Sequence, residues 1–124
     1  MGKKILVIDD AVAIRQLVSM VLKQEGYETI EACDGSDALK ILSGNQIDMA
    51  ICDVNMPVMN GIEFLLALKN DDAYSAHKFL PVIMLTTEIG SDIAARGKAA
   101  GAKAWLIKPF QPADLIDAVR KLIN

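Results

Sequence analysis

Three aspartates, a threonine and a lysine stand directly after short apolar runs. Asp9 and Asp10 follow Lys4 to Ile8, Asp53 follows Ile47 to Cys52, Thr86 follows Pro81 to Leu85, and Lys108 follows Ala104 to Ile107. Carboxylates brought together repel one another, and a cation that prefers oxygen ligands removes that cost. Mg²⁺ suits such a set, because it keeps several waters until phosphate oxygens replace them and so prepares a carboxylate to take a phosphoryl group. Lys108 offers a positive point charge for phosphate oxygens or for the Asp53 carboxylate. Thr86 offers a hydroxyl that can donate to a new phosphate oxygen. Each residue also has an ordinary reading: Asp9-Asp10 as a surface turn whose second member caps the next helix, Thr86 as a strand-end threonine, Lys108 as an exposed lysine. The chemistry requires that the runs they follow lie side by side.

Those runs read as strands. Lys4 to Ile8 is β-branched and without polar alternation, as in a strand buried on both faces of a parallel sheet. Ile14, Leu17, Val18, Val21 and Leu22 then recur with helical spacing, and the helix ends before Gly26, a suitable residue beyond a helix C-terminus. Tyr27 to Ala32 predicts a second strand, and Ser36 a cap for a short helix closed by Gly44. Ile47 to Cys52 predicts a third strand, Asn55 to Gly61 a loop broken by Pro57 and Asn60-Gly61, and Ile62 to Leu68 a helix. After the polar stretch Asn70 to Lys78, Pro81 to Leu85 predicts strand four, and Ser91 a cap for a helix that contains Gly97 and stops at Gly101. Ala104 to Ile107 predicts strand five, with Lys108-Pro109 a candidate cis bond. Pro112 opens a last helix with Leu115, Ile116, Val119, Leu122 and Ile123 on one face. Strands alternating with helices predict an α/β fold: a doubly wound parallel sheet with helices on both faces. Ligands of such sheets lie beyond the carboxyl ends of the strands, where the winding reverses.

The composition narrows the function. A chain of 124 residues, 52% hydrophobic and 23% charged, suits one folded domain over residues 1–124, with no second domain and no appended output segment. Thirteen basic against sixteen acidic residues, with no basic stripe, speaks against nucleic-acid binding. No apolar stretch approaches the roughly 18 residues of a membrane span, and nothing resembles an export signal. Cys33 and Cys52 lack metal-ligand or redox spacing and read as reduced core thiols of a cytoplasmic protein. His77 has no evident chemical partner.

The pieces Ile8-Asp9-Asp10, Asp53 to Gly61, Leu85-Thr86-Thr87-Glu88 and Lys108-Pro109-Phe110 together resemble the receiver domain of two-component response regulators, over essentially the whole chain. The resemblance implies a flavodoxin-like (βα)5 fold with strand order 2-1-3-4-5, an order for which chemotaxis receivers are a known example. It implies Asp53 as phosphoacceptor, Asp10 and Asp53 as direct Mg²⁺ ligands, Asp9 as a ligand through water, and the Asn55 backbone carbonyl as a further ligand. Thr86 and Lys108 would hold the phosphoryl oxygens. Trp105 matches an aromatic switch position, whose ring turns inward as Thr86 moves toward the phosphate. Asn55 and Glu88 match the single-domain chemotaxis type, whereas Thr87 departs from the small residue usual there and the Asn70 to Lys78 connection is slightly long.

The implied function is a phosphorylation-switched binding module and not an enzyme on other molecules. A histidine kinase, of chemotaxis type, supplies the phosphoryl group. The face made by helix four, strand five and helix five binds a target, the flagellar motor switch or another protein. A phosphatase is a further partner, and the chain is expected to be a monomer. A phosphorelay intermediate is a close variant. An Asp-nucleophile phosphohydrolase would carry a second acid where this chain has Asn55. Flavin binding would need a Ser/Thr/Gly-rich phosphate loop where this chain has Asp9-Asp10-Ala11-Val12.

Overall fold

Runs that are apolar at every position need cover on both faces, and the fold supplies it. The structure, a computed structural model, describes residues 2–87 and 91–123; for Ser91, Ile93 and Ala94 only the backbone is described. The chain runs β1 (Lys4–Ile8), α1 (Val12–Gln24), β2 (Glu28–Ala32), α2 (Gly35–Gly44), β3 (Met49–Asp53), α3 (Gly61–Asn70), β4 (Val82–Thr86), α4 (Ser91–Ala100), β5 (Ala104–Ile107) and α5 (Pro112–Leu122). A short 3-10 helix, Asp72–His77, fills the long connection before β4. All strands pair in parallel, in the order β2-β1-β3-β4-β5.

Alternate residues of the central strands feed two cores. Leu6, Ile8, Ala50, Cys52, Val82 and Met84 pack with Leu39 and Leu42 of α2 and with Phe64, Leu65 and Leu68 of α3. Ile5, Val7, Met49, Ile51, Ile83 and Leu85 pack with Val18, Val21 and Leu22 of α1 and with Leu115 and Val119 of α5. Burying side chains of this size on both sides of the sheet stabilises each by about 1.5–3 kcal/mol relative to exposure.

The local signals differ from the sequence reading in four places. Asp34, not Ser36, caps α2, accepting the Asp37 N–H at 2.8 Å. Asn60-Gly61 opens α3 and does not merely break the loop: the Asn60 side chain accepts the Glu63 N–H and Glu63 accepts the Asn60 N–H, both at 2.9 Å. This reciprocal box satisfies two helix-start donors, and its signal was the Asn-x-x-Glu spacing. Leu17 belongs to the α1 stripe by spacing yet is exposed, as are Val12 and Met20, because α1 lies toward the β2 edge, where the sheet covers only part of the stripe. Cys33, expected in the core, is exposed just past β2; Cys52 is buried. The Ser91 cap lies outside the described residues. Gly26 does terminate α1: at φ +91° it lets Gly26 N–H reach the Lys23 carbonyl and Tyr27 N–H the Leu22 carbonyl.

Candidate metal and phosphoacceptor site

The register decides what the strand ends bring together. Ile8 stands opposite Cys52 in β3, and Asp53 opposite Leu85 in β4, so Asp9 and Asp53 leave neighbouring strands at the same end of the sheet. Carboxylate oxygens of Asp9, Asp10 and Asp53 lie within 4.8 Å of one another. Asp9 and Asp53 are buried, 1% and 7% exposed, while Asp10 faces solvent. Lys108 enters from the end of β5, with its ammonium 2.9 Å from Asp9 Oδ2 and 3.3 Å from Asp53 Oδ1. Asp9, not Asp10, accepts the Ala11 N–H at the start of α1, at 2.9 Å, so the helix-cap reading of Asp10 does not hold.

These contacts set the electrostatics. Burial and then the neighbouring Asp9 carboxylate push the Asp53 carboxyl up from the ordinary aspartate range, and Lys108 only partly opposes them. For Lys108, burial alone would lower the pKa. The hydrogen bond to Asp9 and the Asp53 and Asp9 charges outweigh it, and the ammonium is held more firmly than usual. Burial raises the Cys52 thiol well above its usual value, with Asp53 and Asp9 adding to the effect, which leaves it a neutral core group beside the acids.

Three carboxylates against one ammonium leave an excess of negative charge among hard oxygen donors, with Asp10 open to solvent. That donor set fits Mg²⁺, which takes carboxylate and carbonyl oxygens and retains water. Asn55 follows two residues after Asp53 and is exposed on the loop above the cluster. The loop is tightly folded: Val58 has φ +67°, uncommon for a β-branched residue, and Gly61 N–H bonds the Val54 carbonyl at 2.9 Å. A Cβ on Gly61 would run into the Asp53 carbonyl and the Met84 side chain, so only glycine lets α3 start this close to the acid.

Thr86 ends β4 fully buried, and its carbonyl accepts the Lys108 N–H at 2.7 Å, which ties the threonine and lysine segments together. Lys108-Pro109 is cis. Trp105 is half-buried opposite Met84 in the β4 pairing, with its six-membered ring against Gly97 of α4. Thr87 is exposed; Glu88 lies outside the described residues. Asp9, Asp10, Asp53 and Lys108 are thus one cluster, and Trp105 stands apart from it on β5. Sequence reasoning missed Arg15 and Glu31. Arg15 Nη1 donates to the Asp9 carbonyl at 2.8 Å and Arg15 Nε to Glu31 Oε1 at 2.9 Å.

A doubly wound sheet with acids and a lysine gathered at its switch point fits the two-component receiver class. Residues 5–120 match the family model of the response regulator receiver domain, and the chain belongs to that family. It is 35% identical over 122 residues to the chemotaxis protein CheY of Pseudomonas aeruginosa, spanning 98% of this chain and 96% of that one. It is 35% identical over 123 residues to sporulation initiation phosphotransferase F of Bacillus subtilis, spanning 99% and 95%. The solved chemotaxis response regulator CheY4 of Vibrio cholerae superposes with a TM-score of 0.91 at 42% identity, covering 99% of this chain and 100% of that one. Two-component signalling, with a histidine kinase and a target protein as the general partners, follows from the family. Among the described residues no helix is long and apolar enough to cross a membrane.

Proposed function

We propose that the chain acts as a response regulator in the cytoplasm, taking a phosphoryl group on Asp53 from a histidine kinase and then docking on a target protein. The observation that carries this reading is the buried Asp53 carboxylate, grouped with two further carboxylates and 3.3 Å from the Lys108 ammonium, at the carboxyl end of the sheet. An Asp53 oxygen attacks phosphorus, the bond to the kinase's histidine nitrogen breaks, and an acyl phosphate remains. Asp10, Asp53 and the Asn55 backbone carbonyl would hold Mg²⁺ directly and Asp9 through water, and the ion would supply charge neutralisation for the phosphoryl oxygens. Lys108 stays charged and gives those oxygens a fixed cation, and the Thr86 hydroxyl donates to another.

Output runs through α4, β5 and α5. Beside the β5 edge lies a groove of about 440 Å³ whose lining includes Trp105, Leu106, Asp114, Asp117 and Lys121, and it suits a docked peptide. Trp105 turning with Thr86 couples this groove to the acid site, since a ligand shifts a two-state element only by its differential affinity for the states. Likeness to chemotaxis regulators favours the flagellar motor switch as target, with a phosphatase ending the signal. Likeness to a sporulation phosphotransferase favours a phosphorelay step as the second reading. Transfer from the phosphorylated chain to a histidine phosphotransfer protein would separate the two.

The chemistry is tested by intact mass after incubation with acetyl phosphate and Mg²⁺, beside a chelated control and Asp53→Asn. One base-labile phosphoryl adduct that needs Mg²⁺ and is lost in the variant is expected. If no adduct forms, and beryllofluoride also leaves Trp105 fluorescence unchanged, phosphorylation is not the switch.

A further inference from the structure

The Asp9 residue is held at every polar atom it has. Its N–H donates to the Ala32 carbonyl at 3.1 Å, its Oδ1 accepts the Ala11 N–H at 2.9 Å, and its Oδ2 accepts Lys108 at 2.9 Å. The remaining atom, the carbonyl oxygen, accepts Arg15 Nη1 at 2.8 Å. That carbonyl belongs to the peptide plane joining Asp9 to Asp10, so whatever fixes it also fixes the position of the Asp10 nitrogen and Cα, from which the Asp10 side chain departs.

Arg15 is built for that task. It sits one turn into α1, its own N–H bonded to the Ala11 carbonyl at 3.0 Å. Its guanidinium is a rigid plane, and two of its nitrogens are engaged in different directions: Nη1 on Asp9, and Nε on Glu31 Oε1 at 2.9 Å. Glu31 is carried by β2, opposite Val7 in the sheet, and the side chains of the pair are mostly shielded, 17% and 33% exposed. The carboxylate thus anchors the fork to the sheet while the fork anchors the peptide between two acids. It also offsets the guanidinium's charge, so the arrangement acts through orientation more than through field.

We infer that Arg15, oriented by Glu31, is a positioning residue of the metal site: it sets the Asp9-Asp10 peptide plane and thereby places the Asp10 Cα from which its carboxylate reaches a divalent cation. This rests on the Mg²⁺ reading proposed above. The competing explanation is a clip between α1 and β2 that contributes stability alone.

The two are separated by titrating MgCl₂ into the isotopically labelled full chain and following the Asp10 and Val54 backbone amide resonances, with melting measured in parallel. The variants are Arg15→Lys, which keeps the charge and loses the fork, Arg15→Met, and Glu31→Gln, which keeps an acceptor for Nε. Val21→Ala, at the far end of α1, is the control for simple loss of stability. Positioning predicts that Arg15→Lys and Arg15→Met weaken Mg²⁺ about tenfold, the low end for removal of a group that orients a ligand. It also predicts that Glu31→Gln weakens Mg²⁺ by less, that the Asp10 amide is displaced before metal is added, and that Val21→Ala binds as wild type does. Arg15→Lys and Glu31→Gln carry the test if Arg15→Met does not fold. Wild-type Mg²⁺ affinity in both, with only the melting point lowered, would overturn the inference and leave the metal reading intact. A wild-type chain that shows neither Mg²⁺-dependent shifts nor an Asp53 adduct would overturn both.

Discussion

At the scale of single residues the site is a compromise between burial and charge. Asp53 is nearly buried beside Asp9, and the folded chain therefore holds its proton to a higher pH than the unfolded chain does. In the window between the ordinary aspartate range and the raised value, the folded state binds more protons, so this group's contribution to stability falls as pH rises. The cost then persists at neutral pH. Asp53→Asn removes it and leaves Asp9 paired with Lys108 at 2.9 Å. With chelator present, the variant is expected to be more stable than wild type near pH 7. Urea denaturation along a descending pH series should show that gap closing toward the ordinary carboxylate range. A gap that is constant with pH would mean that Asp53 is not the group under strain. Lys108 has a dependence of the same sign in a far higher window: its pKa is also raised, so its pairing is intact through neutral pH and is lost only as pH climbs through the raised value.

At the scale of elements, α4 and β5 are matched through one glycine. A Cβ built on Gly97 would lie 2.9 Å from Trp105 Cε3 and closer still to the neighbouring ring carbon, too near for the ring to stay where it is. The helix is weakened by that glycine, by about 1 kcal/mol relative to alanine. Two opposed effects are therefore expected of Gly97→Ala: a helix that is intrinsically better, and a ring that loses its seat. Trp105 emission should shift to the red, and its response to beryllofluoride should shrink, if the seat against Gly97 is the inward position of the switch. A raised melting point with unchanged emission would show that the ring does not depend on this contact.

At the scale of the whole molecule, the acids sit at the mouth of a sheet whose own packing does not need them, and metal binding should add to folding by linkage. Anything that binds only the folded state stabilises it, by about 2.7 kcal/mol at a hundred times its dissociation constant. Thermal melts are expected to rise with MgCl₂ and to fall back with chelator. Asp53→Asn should flatten that dependence, having lost one of the three carboxylates that converge. An equal Mg²⁺ dependence in the variant would place the cation elsewhere.

Period and punctuation are local, and they were legible in the sequence. Runs without polar alternation announced strands covered on both faces, stripes announced the helices, and the acids, threonine and lysine stood at the ends of those runs. Gly26 ended α1 as its neighbours required, and Gly101, at φ +108°, follows α4. Coverage and convergence were not legible, because they depend on neighbours far away in the chain. Leu17 has the spacing of a core residue but lies beyond what the sheet covers, and Cys33 sits past an edge strand. Only the register of β1, β3 and β4 sets Asp9 and Asp53 side by side, and only the return of β5 beside β4 brings Lys108 across to both. Arg15 and Glu31 carried no motif at all, since a hydrogen bond to a backbone carbonyl leaves no pattern in side-chain spacing. The residue types determined what chemistry this protein is able to do, and the tertiary structure decided which of them meet, because distance between strand ends is a property of the sheet and not of any segment in it.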